Sequence, residues 1–172
     1  MPAIGHLAVG LATARIGGRP KSLPRVVWLV GLVALAYLPD LDVIAFKLGI
    51  PYHAPWGHRG AAHSIGFALI LGTLLAVVGR LSGWFPALVG ILGGLVMASH
   101  GIMDTFTDGG LGIAVFWPFS NERYFAPWTP IPVAPIGLGM FSDRGLYVIG
   151  KELVLFSPLF VFAALWPRRK DR

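Results

Sequence analysis

Cysteine is absent from the 172 residues, which excludes disulfide frameworks, thiolate metal sites and cysteine nucleophiles. Charge is scarce too. Only 13% of the residues are Asp, Glu, Lys or Arg, against about 25% in an ordinary soluble domain. A chain with so little polar surface does not read as a soluble globular domain. Internal repeats, low-complexity tracts and flexible linkers are also missing, so residues 1–172 read as one domain. Hydrophobic residues make up 55%, and the mean hydropathy is +0.71. Fourteen Lys and Arg against eight Asp and Glu leave a formal charge of +6. These cations sit at the ends of apolar segments and form no stripe, so no nucleic-acid partner is expected.

The pattern predicts an all-α, polytopic membrane helix bundle. Four apolar stretches, Val26 to Phe46, Ile65 to Leu81, Trp84 to Met103 and Tyr147 to Trp166, approach the ~20 residues that cross a bilayer. Pro2 to Ile16 is apolar but short, with neither a basic start nor a clear cleavage site. It is expected to be a retained short N-terminal membrane helix. The segment 104–146 is rich in Pro, Gly and aromatics and is expected to form an irregular cap. Its Trp117, Phe119, Tyr124, Phe125 and Trp128 read most simply as an interfacial belt, and otherwise as walls of a substrate pocket.

Orientation follows from the cations. With the Arg15, Arg19, Lys21, Arg25 loop on the cytoplasmic side, four crossings return the Arg168, Arg169, Lys170, Arg172 tail there, together with Arg80. Nine of fourteen cations then face the cytoplasm, and every acid except Asp171 lies on the other side.

On that far side the ionisable residues gather. Asp40 and Asp42 fall near the outer end of the first long helix, and His58 and His63 lead into the second. His100 and Asp104 close the third, with Asp108 one turn on, and His6 reaches the same level if its segment runs inward. Ionised groups in an apolar setting are costly unless paired or metal-bound. Only Arg59 lies among them as a cation. A divalent metal therefore explains the cluster most simply. Sulfur-free His/Asp sets suit Zn²⁺ first, one ion or two, with Mn²⁺ or Fe as substitutes.

Spacing refines the picture. His100, Asp104 and Asp108 are i, i+4, i+8, and share a face if the helix continues that far. Asp40 and Asp42 diverge by about 200° on a regular helix, so either the backbone breaks at Pro39 or the two have different roles. His58 and His63, five apart, place His58 in the preceding loop and His63 in the first helical turn. A lone histidine near a helix end is commonly capped or interfacial, so His6 and His53 carry little singly. Ser64 has no placed base that would make it a nucleophile. Between the cytoplasmic cations and the first cluster residues the helices rise ~20 to 24 Å, less than the ~30 Å hydrocarbon layer. The site is thus expected to be recessed, within reach of a membrane-embedded substrate.

In order along the chain stand His6, Pro39-Asp40-Leu41-Asp42, His58-Arg59-Gly60-x-x-His63-Ser64, His100-x-x-x-Asp104 and Trp117-Pro118-Phe119-Ser120. This series resembles the LexA-binding, inner-membrane-associated family of metal-dependent hydrolases, from His6 to about Phe125. The family is related to the zinc-dependent phospholipase C and P1 nuclease group, all-helical enzymes acting on phosphoesters. The resemblance implies metal-ligand roles for His6, Asp40, His58, His63, His100 and Asp104, and a bacterial-type inner membrane location. No residue here carries the LexA-binding part. His100-x-x-x-Asp104 is also similar to the last motif of histidine-nucleophile lipid phosphatases, but their Pro-Ser-Gly-His and Lys/Arg-Pro blocks are missing.

The expected function is a membrane-embedded metallohydrolase cleaving a lipid or lipid-linked phosphoester with metal-activated water. Asp42 or Asp108 is a candidate general base, and Arg59 or Arg123 a candidate for phosphate charge. Glu152 is a further candidate ligand, unless it pairs with Lys151. The rivals are a divalent-metal transporter, with its ion near the bilayer midplane, and a non-catalytic membrane scaffold held together by the same polar network.

Overall fold

The structure, a computed structural model, describes residues 3–135, 137–167, 169 and 171. Pro2, Arg168, Lys170 and Arg172, which figure in the sequence expectations, lie outside the described residues. The helices are α1 (Ala3–Ile16), α2 (Arg25–Tyr37), α3 (Ile44–Lys47), α4 (Ile65–Leu81), α5 (Pro86–Asp104) and α6 (Asp143–Leu165). Short 3₁₀ turns occupy Leu38–Val43, Ala61–His63 and Gly137–Phe141. Among the described residues there is no strand, only isolated bridges from Thr107 to Ile131 and from Ile113 to Tyr124.

Three helical stretches are long and apolar enough to cross a membrane: Arg25–Lys47, which joins α2 to α3 through the 3₁₀ turn, then α5 and α6. The expected fourth span, α4, has 17 residues and α1 has 14, so both are shorter than the others. The outward faces are apolar. Val26, Val30, Leu69, Leu74, Leu95 and Val154 are exposed, as the lipid-facing side of a bundle requires.

Local chemistry sets the boundaries. Ser64 caps α4 by accepting the Phe67 N–H at 2.9 Å, and Ser142 caps α6 through the Gly145 N–H at 3.3 Å, satisfying amides that the helix start leaves open. Pro86 opens α5, where a missing N–H costs nothing. Regular α2 stops at Tyr37, two residues before Pro39. The expected break is therefore present: Pro39 has no N–H with which to continue the α-helical bonding, the Leu38 N–H turns to the Leu35 carbonyl, and the chain tightens into a 3₁₀ turn. Inside α6, Pro158 cannot bond the Val154 carbonyl. The Ser157 hydroxyl donates to that carbonyl instead, at 2.8 Å.

Helix packing depends on small residues. Ideal side-chain carbons on Gly72 and Gly90 would lie 3.0 Å from the Gly90 carbonyl and 2.8 Å from the Gly72 carbonyl. Only hydrogen fits where α4 crosses α5, and this close approach substitutes for the hydrophobic drive that lipid removes. α5 is central, touching α1, α2 and α4. Trp28, Leu32 and Ala36 of α2 meet Val89 and Val96 of α5 in the core.

The two ends of the bundle differ. At one, Arg15 donates to the Trp166 and Ala164 carbonyls at 3.0 and 2.9 Å, and Arg19 and Arg25 reach Asp171. The 15–25 loop and the end of α6 therefore share a side, as the topology required. At the other end lie the histidines and aspartates under the 104–146 segment. That cap is pinned to the helix starts: Ala114 N–H donates to the Arg59 carbonyl and Ile65 N–H to the Val115 carbonyl, each at 3.1 Å. Phe119 is 95% and Trp128 71% exposed, in keeping with the interfacial-belt reading, while Trp117 packs on Trp56 with centroids 5.2 Å apart.

Candidate metal centre

The 3₁₀ turn after α2 swings Asp40 inward until it is nearly buried, and leaves Leu41 58% exposed. The end of α5 contributes His100 and Asp104, one turn apart and both fully buried. His63 enters from the Ala61–His63 turn just ahead of the Ser64 cap. It therefore precedes α4 and does not occupy the first helical turn, a correction of the expected placement with a simple cause: Ser64, whose hydroxyl accepts an amide, is the better helix opener. One ligand atom from each of Asp40, His63, His100 and Asp104 lies within 4.8 Å of the others.

Distances within this group are those of atoms facing a common point. His100 Nε2 is 3.2 Å from Asp40 Oδ1, and His63 Nε2 is 3.4 Å from Asp40 Oδ1 and 3.5 Å from Asp104 Oδ2. His6, at the start of α1, brings its Nε2 to 3.3 Å from Asp104 Oδ1 and stacks on His100 at 3.7 Å. None of these contacts has hydrogen-bond geometry. His6 Nε2, Asp40 Oδ1, His63 Nε2, His100 Nε2 and both Asp104 oxygens are buried without a hydrogen-bond partner. Such atoms cost about 1 to 3 kcal/mol each if left so, and more when charged. A cation held by Asp40, His63, His100 and Asp104 would satisfy one atom of each.

Protonation is oriented for the same end. The carbonyl of Ala36 only accepts, so His100 Nδ1, 2.6 Å away, carries the proton, and its Nε2 presents a lone pair inward. Burial works against a charged His63, but the carboxylates of Asp104, Asp40 and Asp42 close around its ring outweigh it and push His63 well above the usual histidine range. The position calls for positive charge, from a proton or a metal.

A second group, Asp42, His58 and His63, shares His63 with the first. Its atoms are differently disposed. Asp42 accepts from His58 Nδ1 at 2.5 Å and from the Arg59 N–H at 2.9 Å, and its Oδ2 lies 3.0 Å from His63 Nδ1. Asp42 thus organises the two histidines and is not free as expected of a base. Carboxylates behind metal-binding imidazoles have this position.

The remaining candidates divide sharply. Arg59 is 1% exposed with a left-handed backbone, φ 63°. Its Nη1 is held by Thr107 Oγ1 at 3.0 Å and the Gly109 carbonyl at 2.6 Å, while Nε and Nη2 have no partner. Nε stands 3.7 Å from Asp104 Oδ2. Arg123, by contrast, donates to the carbonyls of His58 and Tyr52 at 2.9 and 2.7 Å. It clamps the 52–58 loop, with both terminal nitrogens engaged by backbone carbonyls. α5 ends at Asp104, so Asp108 never takes the i+8 place. It is exposed and accepts the Val133 N–H at 2.6 Å, fastening the cap. Glu152 is buried, with Oε2 accepting the Ile4 N–H at 2.7 Å at the start of α1, and Oε1 unpartnered. Lys151 lies over the Tyr147 ring at 5.9 Å, away from the expected pairing with Glu152.

The family described as YdjM inner membrane protein matches residues 1–169. The chain belongs to the YdjM inner membrane protein family. It is also similar to inner membrane protein YbcI of Escherichia coli (strain K12), 37% identical over 179 residues that cover 97% of this chain and 98% of that protein. No solved structure matches it. In this YdjM-family chain, the sequence pattern anticipated that His63 and His100 stand close to Asp40 and Asp104 but missed three supporting groups. Thr107 anchors Arg59, the Ala36 carbonyl orients His100, and Gly101 lets α5 approach His63. Of these only Gly101, small and beside His100, left a readable trace.

Proposed function

We propose that this protein is a multi-pass inner-membrane metallohydrolase that cleaves a phosphoester of a lipid or lipid-linked substrate. The observation that carries the reading is a buried guanidinium, Arg59, with two nitrogens, Nε and Nη2, that make no hydrogen bond, beside a set of buried imidazole and carboxylate atoms that also make none. Asp40, His63, His100 and Asp104 are the ligand set, with His6 adjacent. Because Asp42 and His58 already satisfy each other, the donor set supports one ion better than two. Sulfur-free N/O ligation suits Zn²⁺, with Mn²⁺ or Fe as substitutes. The kinship with the zinc-dependent phospholipase C and P1 nuclease group belongs to this proposal.

When bound, such a metal supplies a water made acidic enough to attack at neutral pH and polarises the phosphoryl oxygen. The chain does the rest. Arg59, anchored through Nη1, offers Nε and Nη2 as a planar fork to phosphoryl oxygens, a geometry Lys cannot reproduce. His58 and His63 are held in register by Asp42. Glu152 Oε1, a buried carboxylate oxygen outside the ligand set, is the atom left to hold a proton. An apolar furrow of about 460 Å³ lined by Met103, Phe106, Leu155 and Phe156 lies along the end of α5 that carries the cluster, which supports a substrate with a hydrocarbon chain. The cluster lies at one end of the helices, which supports hydrolysis over transport. The non-cytoplasmic orientation of that end rests on the cation distribution.

The test is release of phosphate or headgroup from phosphatidate, phosphatidylglycerol, phosphatidylcholine and a polyprenyl phosphate by detergent-purified protein supplied with Zn²⁺ or Mn²⁺. Arg59→Met is expected to lower kcat/KM about 100-fold or more with bound metal unchanged. Failure of every phosphoester by metal-loaded protein would overturn the substrate class. Glu152→Gln keeps an acceptor for the Ile4 N–H, so it is expected to fold and retain metal while losing about 100-fold or more in kcat. Unchanged turnover in that variant would remove Glu152 from the proton path.

A further inference from the structure

The cationic end of the bundle holds a second concave feature, remote from the His/Asp cluster. α2 and α6 each pack on α1 but, among the described residues, not on one another. α1 therefore floors a groove of about 760 Å³ between them. Its apolar length is formed by Leu11, Trp28, Leu29 and Phe160, and Arg15, Arg19, Arg25 and Arg169 line it with a single acid, Asp171.

The charged groups are not equally committed. Arg15 is spent on α6 carbonyls. Arg19 braces its own loop through the Leu23 carbonyl and turns Nη2 to Asp171 Oδ2 at 2.5 Å. Arg25 is 68% exposed and reaches that same oxygen at 3.7 Å. Two guanidinia thus converge on one carboxylate oxygen borne by the chain terminus. The Arg19 hydrogen bond, with the charges of Arg19 and Arg25, holds the Asp171 carboxyl below the usual carboxylate range. A phosphate offers such a pair more acceptor oxygens than a carboxylate can. Four guanidinia against one acid also leave positive charge in surplus at the mouth of an apolar slot. Basic pockets between membrane helices recognise anionic lipid headgroups by this combination.

We infer that the groove binds an anionic phospholipid, its phosphate held by Arg19 and Arg25 in place of Asp171 and an acyl chain lying along Trp28, Leu29 and Phe160. Such a lipid fills the gap between α2 and α6 and ties them to α1 at the end opposite the metal centre. A zwitterionic lipid brings its own ammonium group to the same cations and is disfavoured.

Full-length protein in a neutral detergent, titrated with fluorescent phosphatidylglycerol and phosphatidylcholine at low salt, tests this. Phosphatidylglycerol is expected to bind at least about tenfold more tightly, given the gain per basic residue near such a headgroup. Arg25→Gln, at an exposed position that the fold does not need, is expected to weaken phosphatidylglycerol about fivefold and leave phosphatidylcholine unchanged. Asp171→Asn is expected to strengthen it by removing the competing carboxylate. Equal affinities for the two lipids, or phosphatidylglycerol binding that neither variant alters, would overturn the site. Glycerol phosphate binding as tightly as phosphatidylglycerol would overturn the acyl-chain part.

Discussion

His63→Ala and Asp104→Ala are each expected to leave purified protein with little or no tightly bound transition metal, where the parent holds about one ion per chain. Both residues contribute buried atoms that have no hydrogen-bond partner, so deletion of either removes a ligand without breaking a side-chain hydrogen bond. The histidine variant leaves Asp40 and Asp104 facing each other with less positive charge between them. The aspartate variant strips both the 3.3 Å partner of His6 and the 3.5 Å partner of His63. Elemental analysis reads the metal directly. Thermal unfolding supplies a second measure: a metal present at 100 times its Kd stabilises a fold by about 2.7 kcal/mol. A chelator is therefore expected to lower the Tm of the parent and leave His63→Ala unmoved. Asp42→Asn, which touches only the histidines behind the site, is expected to weaken metal about 10- to 100-fold without abolishing binding. A parent that carries no metal, with a Tm indifferent to chelators, would reduce the cluster to a structural polar network.

Gly101→Ala is expected to be the most damaging single-methyl change in the chain. A side-chain carbon there would lie 1.8 Å from the His63 carbonyl oxygen, a contact no rotamer relieves because both partners are backbone. Either α5 or the Ala61–His63 turn must shift, and the metal set is distributed across that same interface, with His100 on one side and His63 on the other. Overpacking of this kind typically costs about 1 to 3 kcal/mol, and a backbone clash falls at or above the upper figure. Bound metal is expected to fall with Tm. Gly31→Ala is the internal control. Nothing stands within 4 Å of its missing side chain, and helix propensity predicts a gain of about 0.5 to 1 kcal/mol. Equal Tm values for the two variants would show that the close approach at Gly101 is unimportant.

The one-sided distribution of acids and histidines was readable because a membrane constrains where ionisable groups fall along an apolar chain. The break at Leu38–Val43 was readable from Pro39, and the pairing of His100 with Asp104 from their four-residue spacing on one helix. α4 coincides with the expected Ile65 to Leu81 stretch, but between the Ser64 cap and Ser82 it has only 17 residues and is shorter than the three helical stretches long enough to cross a membrane. The small-residue seam between Gly72, Gly90 and Gly94 was present in the spacing and went unread.

Sequence alone settled the helical class, the clustering of histidine and aspartate towards one end, and the gathering of arginines at the other, because periodicity, hydropathy and charge are local properties of the chain. Tertiary structure alone divided equivalent-looking residues into different roles. Asp42 became an organiser of histidines, Asp108 a fastener of the cap, Arg123 a loop clamp and Arg59 a donor with open valences. The physical reason is that the role of a polar side chain is set by which partners remain unsatisfied around it, and those partners, the Val133 amide, the Tyr52 carbonyl and the Thr107 hydroxyl, arrive from parts of the chain whose approach no local pattern encodes.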